Sequence, residues 1–491
     1  MVGRLSSTEL KERLFARASI DRLAADIDAS EPNRPKLRRK LGAIDLISVG
    51  LGTMIGGGIF TTIGPGVQKA GPAIVVAFLL AGLASFFAAL AYSELGAMVP
   101  IAGSAYTYAY ATLGEIVAWI IGWDLILEYG ISAAPVAQQF SSYAQSALGA
   151  FGVVLPVWAR DAHFATQLSN VHVDLIGAVF VLVLSALLAL GIRETATSNN
   201  AFVMVKIGAL LVFIVAAALL FHPANFRPFA PNGWGAGGLV GGNGLGIIPA
   251  AALVFFSYIG FDTATTTAEE TRIPERDVPL GVIGSLAIGT LIYCSVAFVL
   301  IGAVPWEHVD QNAALAAAVA PLHSNLIEAI ITIGALAGTT SVALTSLLGQ
   351  TRIFFAMARD GLLPPFVARI HPRFGTPAAM TMATGFVVAF MTLIVPLDAL
   401  LELVNIGTFS AFIIVCGGVI WLRANRPELP RPFRSPFVPF FPLCGIVLSL
   451  FLSTQGLGQF TWLRFVVWLV VGLAIYFSYG YRRATAASPR T

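Results

Sequence analysis

Apolar residues run along this chain in unbroken stretches, not in alternation with polar ones. A helix needs about 20 apolar residues to cross a hydrocarbon layer. Windows of that kind fall at 43–68, 72–97, 113–147, 173–192, 201–221, 245–271, 279–304, 325–358, 376–396, 399–422, 439–453 and 461–481. An outer-membrane barrel would show alternation instead. The pattern therefore predicts an all-α polytopic membrane protein with about 12 transmembrane helices. The third and eighth windows are long enough to tilt strongly or to extend beyond the bilayer, and the eleventh is short. Residues 1–40 contain no apolar leader, so the first span is expected to serve as the targeting signal.

Composition agrees. Of the 491 residues, 57% are hydrophobic and 11% charged, against about 25% charged in soluble domains. The net charge of +3 matters less than where the charges lie. If the segment 1–40 is cytoplasmic, 24 of the 29 lysines and arginines fall on that side or at an inner helix end. Lys69, Arg160, Arg227 and Arg464 fall outside, and Lys206 lies within a span. This bias places both termini in the cytoplasm and supports an even span count. The basic cluster Arg34, Lys36, Arg38, Arg39 and Lys40 beside the first span reads as an orientation signal and lipid contact, not as a nucleic-acid site. Cys294, Cys416 and Cys444 sit in apolar stretches without metal-ligand or disulfide spacing, and the six histidines are scattered in or beside loops. There is no nucleophile motif, Walker loop or metal spacing. The expectation is no enzyme, no cofactor and no metal, with transport driven by a gradient or by exchange.

Two windows are interrupted. The first reads Gly50-Leu51-Gly52-Thr53-Met54-Ile55-Gly56-Gly57-Gly58-Ile59-Phe60. Three consecutive glycines disfavour helix, and an unwound backbone survives in lipid only where it lines a cavity or finds partners. Helix packing through small residues is the alternative. The sixth reads Phe255-Phe256-Ser257-Tyr258-Ile259-Gly260-Phe261-Asp262, followed by Thr263 and three further hydroxyls within a few residues. A membrane carboxylate such as Asp262 is costly and marks function, or else it ties its helix to a neighbour by a hydrogen bond. The offset between the two spans is five, an odd number, so two five-span halves would lie in opposite orientations. Interruptions at matching positions of inverted halves point to a carrier site near the midplane. A half-helix N-terminus offers N–H groups to an anion, and freed carbonyls can take an ammonium. Together these poles suit a zwitterion.

Three further polar groups lie inside spans. Lys206 is the only intramembrane lysine, early in span five. It either snorkels to the interface or, when desolvated, exchanges a proton near neutrality. In the second case it can stand between spans one and eight, where Thr339, Thr340 and Ser341 can receive its ammonium. Glu128, mid-span three, divides evenly between a site wall or proton relay and a structural anchor. Asp124, one turn away on the same face, reads as structural. Asp45, Glu94 and Glu115 sit near span ends and read as solvated or capping groups.

These motifs resemble a known family. Gly56-Gly57-Gly58-Ile59-Phe60 is similar to the span-one signature of the amino acid–polyamine–organocation permeases. Phe256 through Asp262, with Ala268-Glu269-Glu270-Thr271 and Pro274, resembles the span-six motif of the cationic amino acid transporter subfamily. The run from Leu347 through Pro364, continuing to His371-Pro372 and Thr376-Pro377, resembles that subfamily too, as does Arg431-Pro432-Phe433-Arg434. The resemblance covers roughly residues 38–482.

It implies a basic segment 1–40, a first inverted repeat over 41–222 (spans one to five) and a second over 223–424 (spans six to ten). Spans eleven and twelve follow at 425–482, and a tail at 483–491. It also implies proton coupling through a span-five lysine, matched by Lys206. Carried over by position, the substrate carboxylate meets the N–H groups of Gly57 and Gly58. The α-ammonium meets carbonyls of Met54, Phe256, Ser257 and Ile259, and Phe256 forms an aromatic lid. Asp262 and Glu128 are the acidic candidates. The expected partners are an amino acid, a proton and the lipid bilayer, and a small membrane subunit leaves no trace in the sequence. The expected location is a bacterial plasma membrane. Arginine, lysine and ornithine are the leading substrates, with small neutral amino acids as runner-up. A channel is disfavoured because no ring of charge is present, and a non-transporting sensor remains the third reading.

Overall fold

The computed structural model describes residues 41–98, 105–161, 163–164, 171–191 and 196–481. The basic segment 1–40, Arg193 and the tail from 482 onward lie outside these residues.

Twelve helical spans are present among the described residues. Span one is split into Ala43–Gly57 and Ile59–Ala70. Spans two to five are Ile74–Met98, Glu115–Ala150, Leu175–Ala189 and Ala196–Ala218. Span six opens with Ile247–Val254 and ends with Thr263–Thr266. Spans seven to ten are Pro274–Ala303, Asn325–Arg359, Ala378–Ile394 and Leu397–Asn425. Span eleven is Phe440–Gly456, and span twelve is Gln459–Ile475, continued by one wide turn over Tyr476–Gly480. Span three has 36 residues and span eight has 35. At 1.5 Å per residue each is roughly 50 Å long, well beyond a hydrocarbon core of about 30 Å. Spans four, nine and eleven are short, at 15 to 17 residues.

The packing carries the inverted repeat. Helices five apart in order lie against each other: two on seven, three on eight, four on nine. The pair five–eight has its counterpart in ten–three, and one–seven has its counterpart in six–two. These contacts thus recur when every span is exchanged for the one five places on. Spans eleven and twelve stand outside this exchange and lean on span ten.

Small residues bring the central helices together, since without a hydrophobic driving force in lipid close backbone approach is what helices gain. A Cβ on Gly56 would collide with the Gly338 carbonyl oxygen of span eight, and one on Gly50 would lie 2.5 Å from Ser285 Oγ of span seven.

Three features differ from the sequence expectation. Short helices at Ala105–Thr112 and Ala314–Val319 flank spans three and eight, where loops were expected. A two-residue antiparallel strand pair joins His163–Phe164 to Val171–His172. Of the three acidic groups near span ends, only Asp45 is an exposed cap, accepting from the Gly42 N–H at 2.8 Å. Glu94 is 1% exposed and accepts from Arg423 Nη2 at 2.8 Å, from Arg423 Nε at 2.9 Å and from the Ser435 N–H at 2.8 Å. Arg431 Nε stands 3.5 Å from the same carboxylate. Glu115 is buried too, accepting from the Tyr476 hydroxyl at 2.8 Å. Hydropathy places a carboxylate near a helix end but cannot show that a later span covers it.

Candidate substrate site

The first interruption is narrower than three glycines suggest. Gly56 and Gly57 remain helical, and the chain turns at Gly58 alone, with φ −76° and ψ −83°. The Gly58 N–H still donates to the Met54 carbonyl at 3.2 Å, while the Gly58 carbonyl accepts from the N–H groups of Thr61 and Thr62. Among the described residues, the N–H groups of Ile59 and Phe60 and the carbonyls of Ile55, Gly56 and Gly57 take no part in the backbone hydrogen bonds across the break. The free donors therefore lie one to two residues beyond the expected Gly57 and Gly58. Glycine is required at the turn for space: a Cβ on Gly58 would lie 2.5 Å from Ser257 Cα.

The second interruption is long. A tight 3₁₀ turn spans Phe255–Tyr258, Ile259 is extended, and Gly260 has φ +111°, a conformation that side chains disfavour. Its polar groups are held from all sides. Tyr293 of span seven donates to the Ser257 carbonyl at 2.9 Å. Thr62 Oγ1 pairs with Ser257 Oγ at 2.7 Å. Thr53 Oγ1 lies 2.7 Å from the Gly260 carbonyl and 2.9 Å from Thr263 Oγ1. Tyr258 donates to the Phe78 carbonyl of span two at 2.8 Å.

A cavity of about 40 Å³ lies between the two breaks, lined by Gly57 and Gly58 of span one, Phe256 and Ile259 of span six, Glu128 of span three and Val342 of span eight, among others. Such a volume holds roughly two or three waters. The expected site residues divide around it. Gly57, Gly58, Phe256, Ile259 and Glu128 stand in the wall. Met54, Gly56 and Ser257 do not: Met54 and Ser257 are fully buried, and Gly56 abuts the span-eight backbone. The carbonyls of Met54, Phe256 and Ser257 already accept from Gly58, Ile259 and Tyr293 respectively. Asp262 does not stand in the wall. Asp124 accepts from the Ser410 hydroxyl at 2.8 Å.

Lys206 is fully buried. Its Nζ donates to the Gly52 carbonyl of span one at 2.7 Å and to Ser341 Oγ of span eight at 3.2 Å. The ammonium thus joins the two spans and does not snorkel. The hydroxyls of Thr339 and Thr340 donate to carbonyls of their own helix, at Ala335 and Leu336. Sequence reasoning missed Gly52 as an acceptor and Thr53, Tyr129, Ser132, Thr345 and Ser346 as wall residues. The signal for the last two was available, since Thr345 lies one helical turn beyond Ser341.

Two discontinuous helices that meet at a cavity in an inverted-repeat bundle define a membrane carrier. The chain belongs to the amino acid permease family, whose model matches residues 41–476. It is 43% identical to the branched-chain amino acid permease BcaP of Bacillus subtilis, over 96% of this chain and 98% of that protein. It is 39% identical to the methylthioribose transporter of the same organism, over 95% of this chain and 97% of that one. Against cationic amino acid transporter 4 of Homo sapiens the identity is 28%, over 95% of this chain and 92% of the relative. These relatives are transporters and not enzymes, and this chain is likewise a multi-pass membrane permease of amino acids.

Proposed function

We propose that the protein accumulates amino acids with apolar, branched side chains by proton-coupled alternating access. The observation that carries the coupling is Lys206, buried between spans one and eight on a carbonyl and a hydroxyl. An amine there fills the place of a cation, and its proton is the species that comes and goes. The substrate carboxylate is met by the N–H groups at the start of Ile59–Ala70, where the helix dipole favours an anion, and the ammonium by the carbonyls ending Ala43–Gly57. The side chain lies against Ile259, Val342 and Phe256. The leading substrates become leucine, isoleucine and valine because Ile259, Val342 and Phe256 form an apolar part of the wall and because the relative with 43% identity is a branched-chain permease. The bilayer is the plasma membrane with both termini cytoplasmic, on the charge bias of the loops.

A second reading keeps arginine, lysine and ornithine as substrates, on the observation that Glu128 stands in the cavity wall. Uptake of labelled leucine and arginine into proteoliposomes, with and without an imposed proton gradient and without sodium, tests both. Gradient-driven leucine uptake supports the first reading. Arginine uptake that is lost in Glu128→Gln supports the second. Uptake that ignores the proton gradient and requires sodium overturns the coupling.

A further inference from the structure

The outer half of span six, Ile247–Val254, ends inside the bundle and passes into the tighter 3₁₀ turn Phe255–Tyr258, where the regular α-helical ladder stops. An unmet carbonyl in that position costs free energy that lipid cannot return. The partner comes from the second repeat. Asn405 of span ten is fully buried, and its Nδ2 donates to both the Ala252 carbonyl at 2.7 Å and the Leu253 carbonyl at 3.1 Å. The orientation of the amide follows from chemistry, since its oxygen would face two carbonyl oxygens if it were reversed. Both of its N–H groups are thereby used, and among the described residues its Oδ1 has no partner. Two aromatic contacts extend the grip: Phe255 stacks on Phe409 at 4.0 Å and meets Phe412 edge-on at 5.4 Å. The next residue is Phe256, in the cavity wall.

We propose that Asn405 is a positioning residue that sets substrate affinity: it caps the broken end of span six from span ten and thereby fixes where Phe256 stands over the cavity. The proposal rests on the reading of the cavity as the substrate site. Its physical content is that one amide side chain ties down the carbonyls where the α-helix gives way to the 3₁₀ turn. A displacement of span ten then moves the cap, the 3₁₀ turn and the aromatic lid together. Leucine in place of Asn405 keeps the volume and removes both donors, while serine keeps one hydroxyl.

The test is uptake of labelled L-leucine in proteoliposomes, with KM and Vmax measured separately and thermal unfolding measured in detergent. Asn405→Leu is expected to raise KM at least tenfold with Vmax within about twofold, and Asn405→Ser is expected to fall between it and the unmutated protein. Phe256→Leu combined with Asn405→Leu is expected to be non-additive in KM, because both act on one position of the lid. An unfolding temperature that falls while KM stays unchanged would overturn the proposal, as would additive effects in the double variant. If Asn405→Leu yields no folded protein, Asn405→Ser and Phe409→Leu carry the same comparison. Failure of the unmutated protein to take up leucine bears on the substrate reading alone, and the KM series is then run with L-arginine.

Discussion

The two broken helices solve one problem in opposite ways. Span one interrupts its helix at a single residue and packs its glycines against the backbone and side chains of spans three, six and eight. Span six gives up helix from Phe255 to Asp262 and takes hydrogen bonds from spans one, seven and ten, while it donates to span two. A buried backbone group must find a partner. In span six the protein supplies the partners, so that break is the fixed wall. In span one the N–H groups of Ile59 and Phe60 and the carbonyls of Ile55 to Gly57 take no part in backbone bonds across the break, and Gly57 and Gly58 stand in the cavity wall, so that break is the proposed ligand face. The inverted repeat thus has two equivalent interruptions with unequal duties.

The largest effect should come from the lysine that holds span one. Lys206→Ala removes the titrating group and the tie to Gly52 and Ser341, and Lys206→Arg keeps a charge that does not leave in this range. Both are expected to abolish accumulation driven by a proton gradient, measured in proteoliposomes, even where substrate binding persists. If either still accumulates substrate with unaltered pH dependence, the span-one face is not where coupling resides. Next in size is Gly58→Ala. A Cβ there meets Ser257 Cα at 2.5 Å, so one break is driven into the other. Uptake should fall at least twentyfold, and unfolding free energy by about 1–3 kcal/mol, the usual range for overpacking. Uptake near normal would show that the two breaks do not touch as described.

Tyr293→Phe probes the fixed wall. Losing the hydroxyl on the Ser257 carbonyl should cost about 1–3 kcal/mol of stability and weaken uptake by less than tenfold, measured by unfolding and KM. An effect equal to that of Gly58→Ala would erase the distinction between the two breaks. The smallest change lies outside both. Asp174 caps span four by accepting from the Gly177 N–H at 2.8 Å and is 2% exposed. Burial raises its carboxyl to about 7, against the smaller opposing pull of the Ser141 hydroxyl and the Gly177 N–H. The folded value exceeds the unfolded one of about 3.9, so its contribution is complete below pH 4 and is lost as pH rises through 7. Asp174→Asn should flatten that part of the stability profile by a few degrees, with uptake unchanged. A profile identical to that of the unmutated protein would remove Asp174 from the account.

The span pattern was legible because bilayer thickness writes its length directly into hydropathy, and the loops sort by charge. The location of each break was less so. Three glycines in a row permit a turn without saying where it falls, and only the neighbours show that Gly56 must stay helical against Gly338. The same holds for Thr339, Thr340 and Ser341. Successive positions of a helix point about 100° apart, so one of the three can face Lys206, and sequence order does not say which. Asn405 and Tyr293 gave no signal at all. Asn405 reaches a carbonyl 153 residues away, and nothing local distinguishes it from any other polar residue in a span.

The cluster of Glu94 with Arg423 and Arg431 has a kinetic corollary. Separating one member of a buried ion pair costs about 3–5 kcal/mol, and each 1.36 kcal/mol divides a rate by ten. A turnover step that pulled spans two and ten apart at their inner ends would therefore be slower by roughly a hundredfold to several thousandfold. Under the proposed alternating access, those ends would serve as a stator. The rotor must be sought among the helices that reach the same side without such a weld. Ala43–Gly57 is one of them: near that side it is held by the hydrogen bonds between Leu41 and the stretch Glu270–Arg272 and by the packing of Leu46 against Gly281 of span seven, with no ion pair among the described residues.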